Sequence, residues 1–193
     1  MRSMGAKAKV ERAAIELFAA NGVDGVSIGE VAARAGVSQG ALYRHYRSKE
    51  ALAWSLFATA YLRMGAELGE IRGRQCGFAA RVGAMVEHFC ALYDHDPALF
   101  RFMLIAQRDL LPRVGPDQRT PVDEVTQTVE DAVRAGEVAS VNPLAAAAAI
   151  LGVILQTAVF HIYGRLPGAL SPRAASLTRA AIAAVGALGQ GEA

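Results

Sequence analysis

Gln39 and Arg44 carry forked donors of the kind that pair with the edges of adenine and guanine, and Tyr43, His45 and Lys49 can donate to phosphates. Ser38 precedes them as a hydroxyl cap, and Gly40 and Ala41 keep the leading face of that short segment slim. The chemistry these residues suit is the reading of a DNA duplex. Other chemistries find less material. No nucleophile–base pair or phosphate-cradling glycine loop stands out, so no catalytic residue or cofactor is expected. His88, Cys90 and His95 fall close together. However, positions i and i+2 face different sides of a helix, and His88 and His95 lie two turns apart, so no metal site is expected.

Side chains reach base edges only from an element narrow enough to enter a major groove. Residues 28–46 predict such an element. A first helix buries Ile28, Val31, Ala32 and Ala35; Gly36-Val37-Ser38 makes a tight turn; a second short helix, Gln39 to about Tyr46, buries Leu42. Two short helices crossing through a glycine-containing turn form the helix-turn-helix plan, and its second helix lies in the groove. Ser27-x-x-Glu30 reads as a capping box that starts the first of the two.

The rest of the chain predicts an all-α protein. Asp96-Pro97, Thr120-Pro121, Asn142-Pro143 and Ser171-Pro172 each set a capping side chain before a proline, the signature of a helix start. Helices are expected at about 7–20, 28–35, 39–46, 49–71, 78–92, 97–110, 121–135, 143–163 and 172–188, about nine in total. Alternating Val-, Ile- and Thr-rich runs are absent, so no strand competes. The expected division is a three-helix head at 1–48 and a helical ligand-binding and dimerisation domain at 49–193.

Charge agrees with that division. Of 193 residues, 53% are hydrophobic and 20% charged, with a net charge of only +2. Residues 1–50 hold eight Lys and Arg against five Asp and Glu, and all three lysines lie there. A basic head on a near-neutral body is expected where only the head meets a polyanion. Cys76 and Cys90 form no CxxC pair, the N-terminus has no apolar signal-like run, and a reducing, cytoplasmic setting is expected.

Val23 to Ala53 resembles the DNA-binding head of the TetR family of bacterial regulators. The features that match are the polar cap at Ser27, Ala35-Gly36-Val37-Ser38, Leu42-Tyr43, the aromatic Tyr46, and Ser48-Lys49-Glu50-Ala51-Leu52. The family more often has phenylalanine at the position of Tyr46, which leaves a hydroxyl in need of a partner. The resemblance implies phosphate contacts from Ser27, Tyr43, His45 and Lys49, with Gln39, Gly40 and Arg44 nearest the bases. It also implies dimerisation through the last two helices, and a ligand that is usually small and lipophilic or amphipathic. The chain therefore reads as a ligand-responsive transcriptional regulator, a repressor released from a palindromic operator by a mostly apolar effector.

The body's residues suit the same roles. Helix 143–163 is apolar nearly all round, with small residues at Ala145, Ala149 and Gly152; helix 172–188 sets Leu177, Ala181, Ala184, Val185 and Leu188 on one face. Small residues let helix axes approach, so these two helices are expected to form the homodimer seam. Phe57, Met85, Phe89, Phe100, Met103 and Leu104 supply apolar walls for an effector, with His88, Gln107 and Arg108 as polar anchors. The competing reading is a membrane-associated helical protein, because residues 144–160 contain no charge and approach the length of a span. Five consecutive alanines, Gln156 and Thr157 weaken it, and no membrane partner is expected.

Overall fold

The computed structural model describes residues 5–189, and every regular element among them is helical. Nine α-helices occur among these residues: α1 (Ala6–Asn21), α2 (Ile28–Ala35), α3 (Gln39–Tyr43), α4 (Lys49–Arg74), α5 (Phe78–His95), α6 (Pro97–Leu110), α7 (Pro121–Arg134), α8 (Pro143–Ile162) and α9 (Ala174–Gly189). Three of the expected proline starts hold. The Asp96 carboxylate accepts from Leu99 N–H at 3.0 Å, Thr120 forms a reciprocal capping box with Asp123, and Asn142 accepts from Leu144 and Ala145 N–H. The fourth differs. Ser171 caps nothing; Ser171–Arg173 is a single 3-10 turn leading into α9. Its free N–H groups are taken from a distance by Asp94, which accepts from Leu170 at 2.7 Å and Ser171 at 2.8 Å. Burial opposes ionisation of Asp94, but these hydrogen bonds outweigh it and hold the carboxyl below its ordinary value.

The chain divides into two compact units. The first runs through Tyr61 and takes in Asp96–Gln118. Its core joins Val10, Ala14 and Phe18 of α1 to Val31, Leu42, Leu52, Phe57, Phe100 and Phe102. Helix α6 lies along α1, where the rings of Phe18 and Phe102 are 5.8 Å apart. Arg12 fixes the start of α6 by donating to Asp96 at 2.7 Å. At the other end Arg113 stacks over Trp54, 4.5 Å from the ring centre.

The second unit comprises Leu62–His95 and the chain from Arg119 onward. Helix α8 packs on α7 and α9, and α9 packs on α5. The face of α9 formed by Leu177, Ala181 and Val185 is buried in these contacts. The sequence reading placed that face in the dimer seam. It belongs instead to the protomer's own core, because these are the residues that fill the space between α5 and α8.

Glu124 of α7 is only 3% exposed, and its carboxylate is held by Arg72 at 3.0 Å and by Arg119. Arg72 also reaches Asp131, which Arg134 and Gln127 hold as well. Glycines in α4 make room for this cluster. A Cβ at Gly69 would sit 3.2–3.3 Å from the Glu124 carboxyl atoms, and one at Gly65 would sit 2.5 Å from the Arg119 carbonyl oxygen.

The Gly65 contact is backbone on backbone, so neither side can swing away. Alanine gains about 1 kcal/mol of helix propensity over glycine, but overpacking a closed contact costs about 1–3 kcal/mol. Gly65→Ala should therefore lower the thermal midpoint. Gly73→Ala, in the same helix with nothing within 4 Å of the new methyl, should leave it unchanged or raise it. Equal midpoints for the two variants would remove the close contact.

Candidate nucleic-acid interface

The surface begins with local hydrogen bonding. Ser27 Oγ accepts from Glu30 N–H at 3.2 Å, and the Glu30 carboxylate accepts from Ser27 N–H at 2.7 Å. These bonds satisfy two orphan donors at the start of α2. The helix ends at Gly36, whose φ of 66° is one that glycine adopts without strain. Gly36 and Val37 N–H close on the carbonyls of Ala33 and Ala32. Ser38 then starts α3 by accepting from Ala41 N–H at 3.2 Å.

Helix α3 stops at Tyr43, three residues short of the expected end. Both His45 and Tyr46 donate their N–H groups to the Leu42 carbonyl, which tightens the last turn. Arg44 and His45 consequently flank the helix end. Leu42 is fully buried, and Tyr46 is buried beside it. The extra hydroxyl of Tyr46 donates to the Glu11 carboxylate, and its ionisation is pushed up by burial first and by Glu11 second.

With Leu42 inward, the candidate contacts turn outward. Ser27, Ser38, Gln39, Gly40, Tyr43, Arg44 and His45 are all exposed. Lys49 is half-buried at the start of α4 and donates to the Asp24 carbonyl at 3.3 Å, a weak bond that a phosphate can replace. Ser48 caps α4 by accepting from Ala51 N–H. The orphan amides at this helix start add to its attraction for an anion.

Charge on the first unit is sorted by pairing. Arg12 bonds Glu16 and Asp96, Arg34 bonds Glu16 at 2.9 Å, and Lys7 approaches Glu11. Arg44 and Arg47 have no ion pair among the described residues. Arg47 was missed by the sequence reading. Its signal, an exposed cation between the reading helix and the cap of α4, emerges only when Arg12 and Arg34 are seen to be paired.

The candidate effector residues fall in both units. In the first, Phe57, Phe100 and Met103 are buried, Leu104 and Gln107 are half-buried, and Arg108 faces solvent with its side chain 92% exposed. Arg108 therefore anchors nothing inside that unit. In the second unit Met85 and Phe89 are buried, and Thr128 Oγ1 lies 3.9 Å from the Met85 sulfur. His88 bonds Glu67 at 3.0 Å. Among the described residues no group of three or more His, Cys, Asp or Glu is placed to hold a metal ion.

Comparison with known proteins matches this surface. Residues 12–56 fit the model of the family described as bacterial regulatory proteins, tetR family. Over 61 residues the chain is 41% identical to a Mycobacterium tuberculosis protein named as the mycofactocin biosynthesis transcriptional regulator MftR. The match covers 32% of this chain and 31% of that protein, so it spans about a third of the relative's length. Among solved structures, the fatty acid degradation regulator FadR from Bacillus halodurans superposes with a TM-score of 0.80 at 14% identity, covering 94% of this chain and 96% of that one. FadR from Bacillus subtilis in complex with stearoyl-CoA gives a TM-score of 0.75 at 16% identity, covering 93% and 99%. At such identities the likeness is one of fold.

The cap at Ser38 can be separated from its outward position. Ser38→Ala should lower stability by about 1 kcal/mol, because a five-residue helix loses its one side-chain cap. Ser38→Asp keeps an acceptor for Ala41 N–H and should restore the melting temperature while placing a negative charge on the surface. If calorimetry finds Ser38→Asp as unstable as Ser38→Ala, the hydroxyl is not acting as the cap.

Proposed function

We propose that this chain, whose residues 12–56 match the tetR family of bacterial regulatory proteins, is a member of that family and a dimeric, cytoplasmic transcriptional regulator whose grip on DNA is set by a small effector. One observation carries the reading. The exposed row from Ser38 to His45 sits on a buried Leu42 anchor, beside arginines left unpaired, within the segment that matches the family. Gln39 and Arg44 read base edges; Ser27, Tyr43, His45, Arg47 and Lys49 hold phosphates. The reading calls for no enzymatic step.

A palindromic operator requires two heads. Helix α8 offers the surface for pairing them: Leu144, Ala148, Gly152, Phe160 and the following Tyr163 are exposed along one side. Helix α9 adds Ala180, Ala183 and Ala187, also exposed. Two copies joined there form a four-helix seam and set their reading helices in successive major grooves about 34 Å apart. The membrane reading is weaker. Helix α8 is long and apolar enough to cross a membrane by length and composition, but Ala146, Ile150 and Ile154 are buried against protein.

The effector is a mostly apolar molecule, as the aromatic and methionine content of α4, α5 and α6 favours. The fold accommodates such a ligand, since the Bacillus subtilis FadR structure holds stearoyl-CoA. An effector that binds one conformation better than the other lowers DNA affinity by that difference, and release of a repressor follows.

Selection of fragments from a random DNA pool by the purified protein tests the reading, with a two-fold symmetric site as the expected result. On that site Arg44→Ala should cost about 1–3 kcal/mol and relax preference at one base position. Lys49→Ala should weaken all sequences alike and flatten the salt dependence. Retained affinity and base preference in Arg44→Ala would falsify the reading-helix assignment.

Gly152→Glu tests the seam. An unpaired carboxylate buried between two copies costs several kcal/mol, so sedimentation should show monomer or aggregate, with operator binding lost. A soluble dimer of unchanged DNA affinity would take α8 out of the interface.

A further inference from the structure

The two helices of the head meet at a point where one has no side chain. Gly29 is the second residue of α2, and Gln39 is the first of α3. A Cβ built on Gly29 would lie 2.9 Å from Gln39 Nε2 and 3.8 Å from Gln39 Cδ. The end of the Gln39 side chain therefore rests in the space that any other residue at position 29 would fill. Ser27 Oγ lies 3.8 Å from the same point. The Gln39 amide has no hydrogen-bond partner among the described residues. Its placement thus owes nothing to a polar tether, and what remains is contact with the bare backbone of α2.

We infer that Gly29 is a specificity-determining positioning residue: its missing side chain is the seat that holds Gln39 in the orientation from which it reads a base. The inference rests on the DNA-binding reading above. Physically, glutamine is a flexible reader whose rotamer freedom must be given up on binding, and a seat that restricts it beforehand lowers that cost. A methyl group at position 29 removes the seat. At 2.9 Å something must shift, and the atom in the way is the free end of an exposed side chain, not backbone. The displacement is therefore cheap for the fold, and its cost falls on base reading alone.

The experiment uses full-length protein and the DNA site that the wild type selects from a random pool. Gln39→Ala should erase the preference at one base pair in each half-site. Gly29→Ala should erase the same preference, lowering discrimination there about tenfold or more. Its melting temperature should match or exceed that of the wild type, and its dimerisation and salt dependence should be unchanged, since no phosphate contact is lost. In the Gln39→Ala background, Gly29→Ala should have no further effect. Gly29→Ala that keeps full preference where Gln39→Ala loses it overturns the inference and leaves the regulator standing. An equal effect in both backgrounds also overturns it, because Gly29 would then act on DNA without Gln39. Failure of the wild type to select any site removes the regulator reading and the inference together.

Discussion

A five-residue helix cannot hold its own shape in water, since its few internal hydrogen bonds never repay the cost of nucleation. Helix α3 exists because Leu42 is driven into the core between α1 and α2, a burial worth about 1.5–3 kcal/mol. That one anchor fixes the rotation of the helix, and rotation fixes which residues face out. With Leu42 inward, Gly40 falls across the helix from it and Gln39 and Tyr43 flank it, and all three are exposed. The left-handed turn at Gly36 and the cap at Ser38 then set where the helix starts, so that rotation and register are both determined. The outward row is a consequence of the inward residue.

Electrostatics acts on the frame so determined. Glu16 sits between Arg12 and Arg34, and hydrogen bonds from Arg12 and then Arg34 hold its carboxyl ionised below the ordinary range, against a small opposing effect of burial. Those two arginines serve the packing of α1 against α2 and α6. Arg44 and Arg47 have no such partner among the described residues. A net charge of +2 over the whole chain is uninformative, yet pairing leaves Arg44 and Arg47 as unneutralised positive charge just past α3. What steers a polyanion is the charge left over after internal pairing.

How much of this was legible in the sequence depends on the distance over which each interaction acts. Caps and turns act within four residues, so the capping box at Ser27 and the starts at Asp96, Thr120 and Asn142 could be read directly. The start before α9 could not, because its cap is Asp94, on another helix far back in the chain. Periodicity identified the apolar face of α9 but could not say what covers it; Leu177, Ala181 and Val185 turned out to serve the protomer's own core. Charge counting found a basic head but not the pairing that distinguishes Arg34 from Arg44. The notch at Gly65 was equally silent, since a glycine inside a helical pattern reads as a weakness until the backbone lying against it is known.

Helix α8 shows why composition alone misleads here. An apolar helix of twenty residues can be lipid-facing all round, or protein-facing on two sides. Ala146, Ile150, Ile154 and Ala158 recur at four-residue steps and are fully or almost fully buried against the protomer, which rules one side out for lipid. The other side repeats at the same step through Ala148, Gly152, Gln156 and Phe160, and these are exposed. That strip mixes bulky ends, Leu144 at 60% and Tyr163 at 73% exposure, with a slim middle at Ala148 and Gly152. Lipid has no use for a slim middle, whereas a second helix crossing at an angle needs just that shape, with close approach at the crossing point and larger side chains flanking it. Gln156 fits the proposed seam, because an amide beside such a crossing would have a partner across a two-fold axis and none in hydrocarbon. The feature that first suggested a membrane is better suited to a second copy of the same chain.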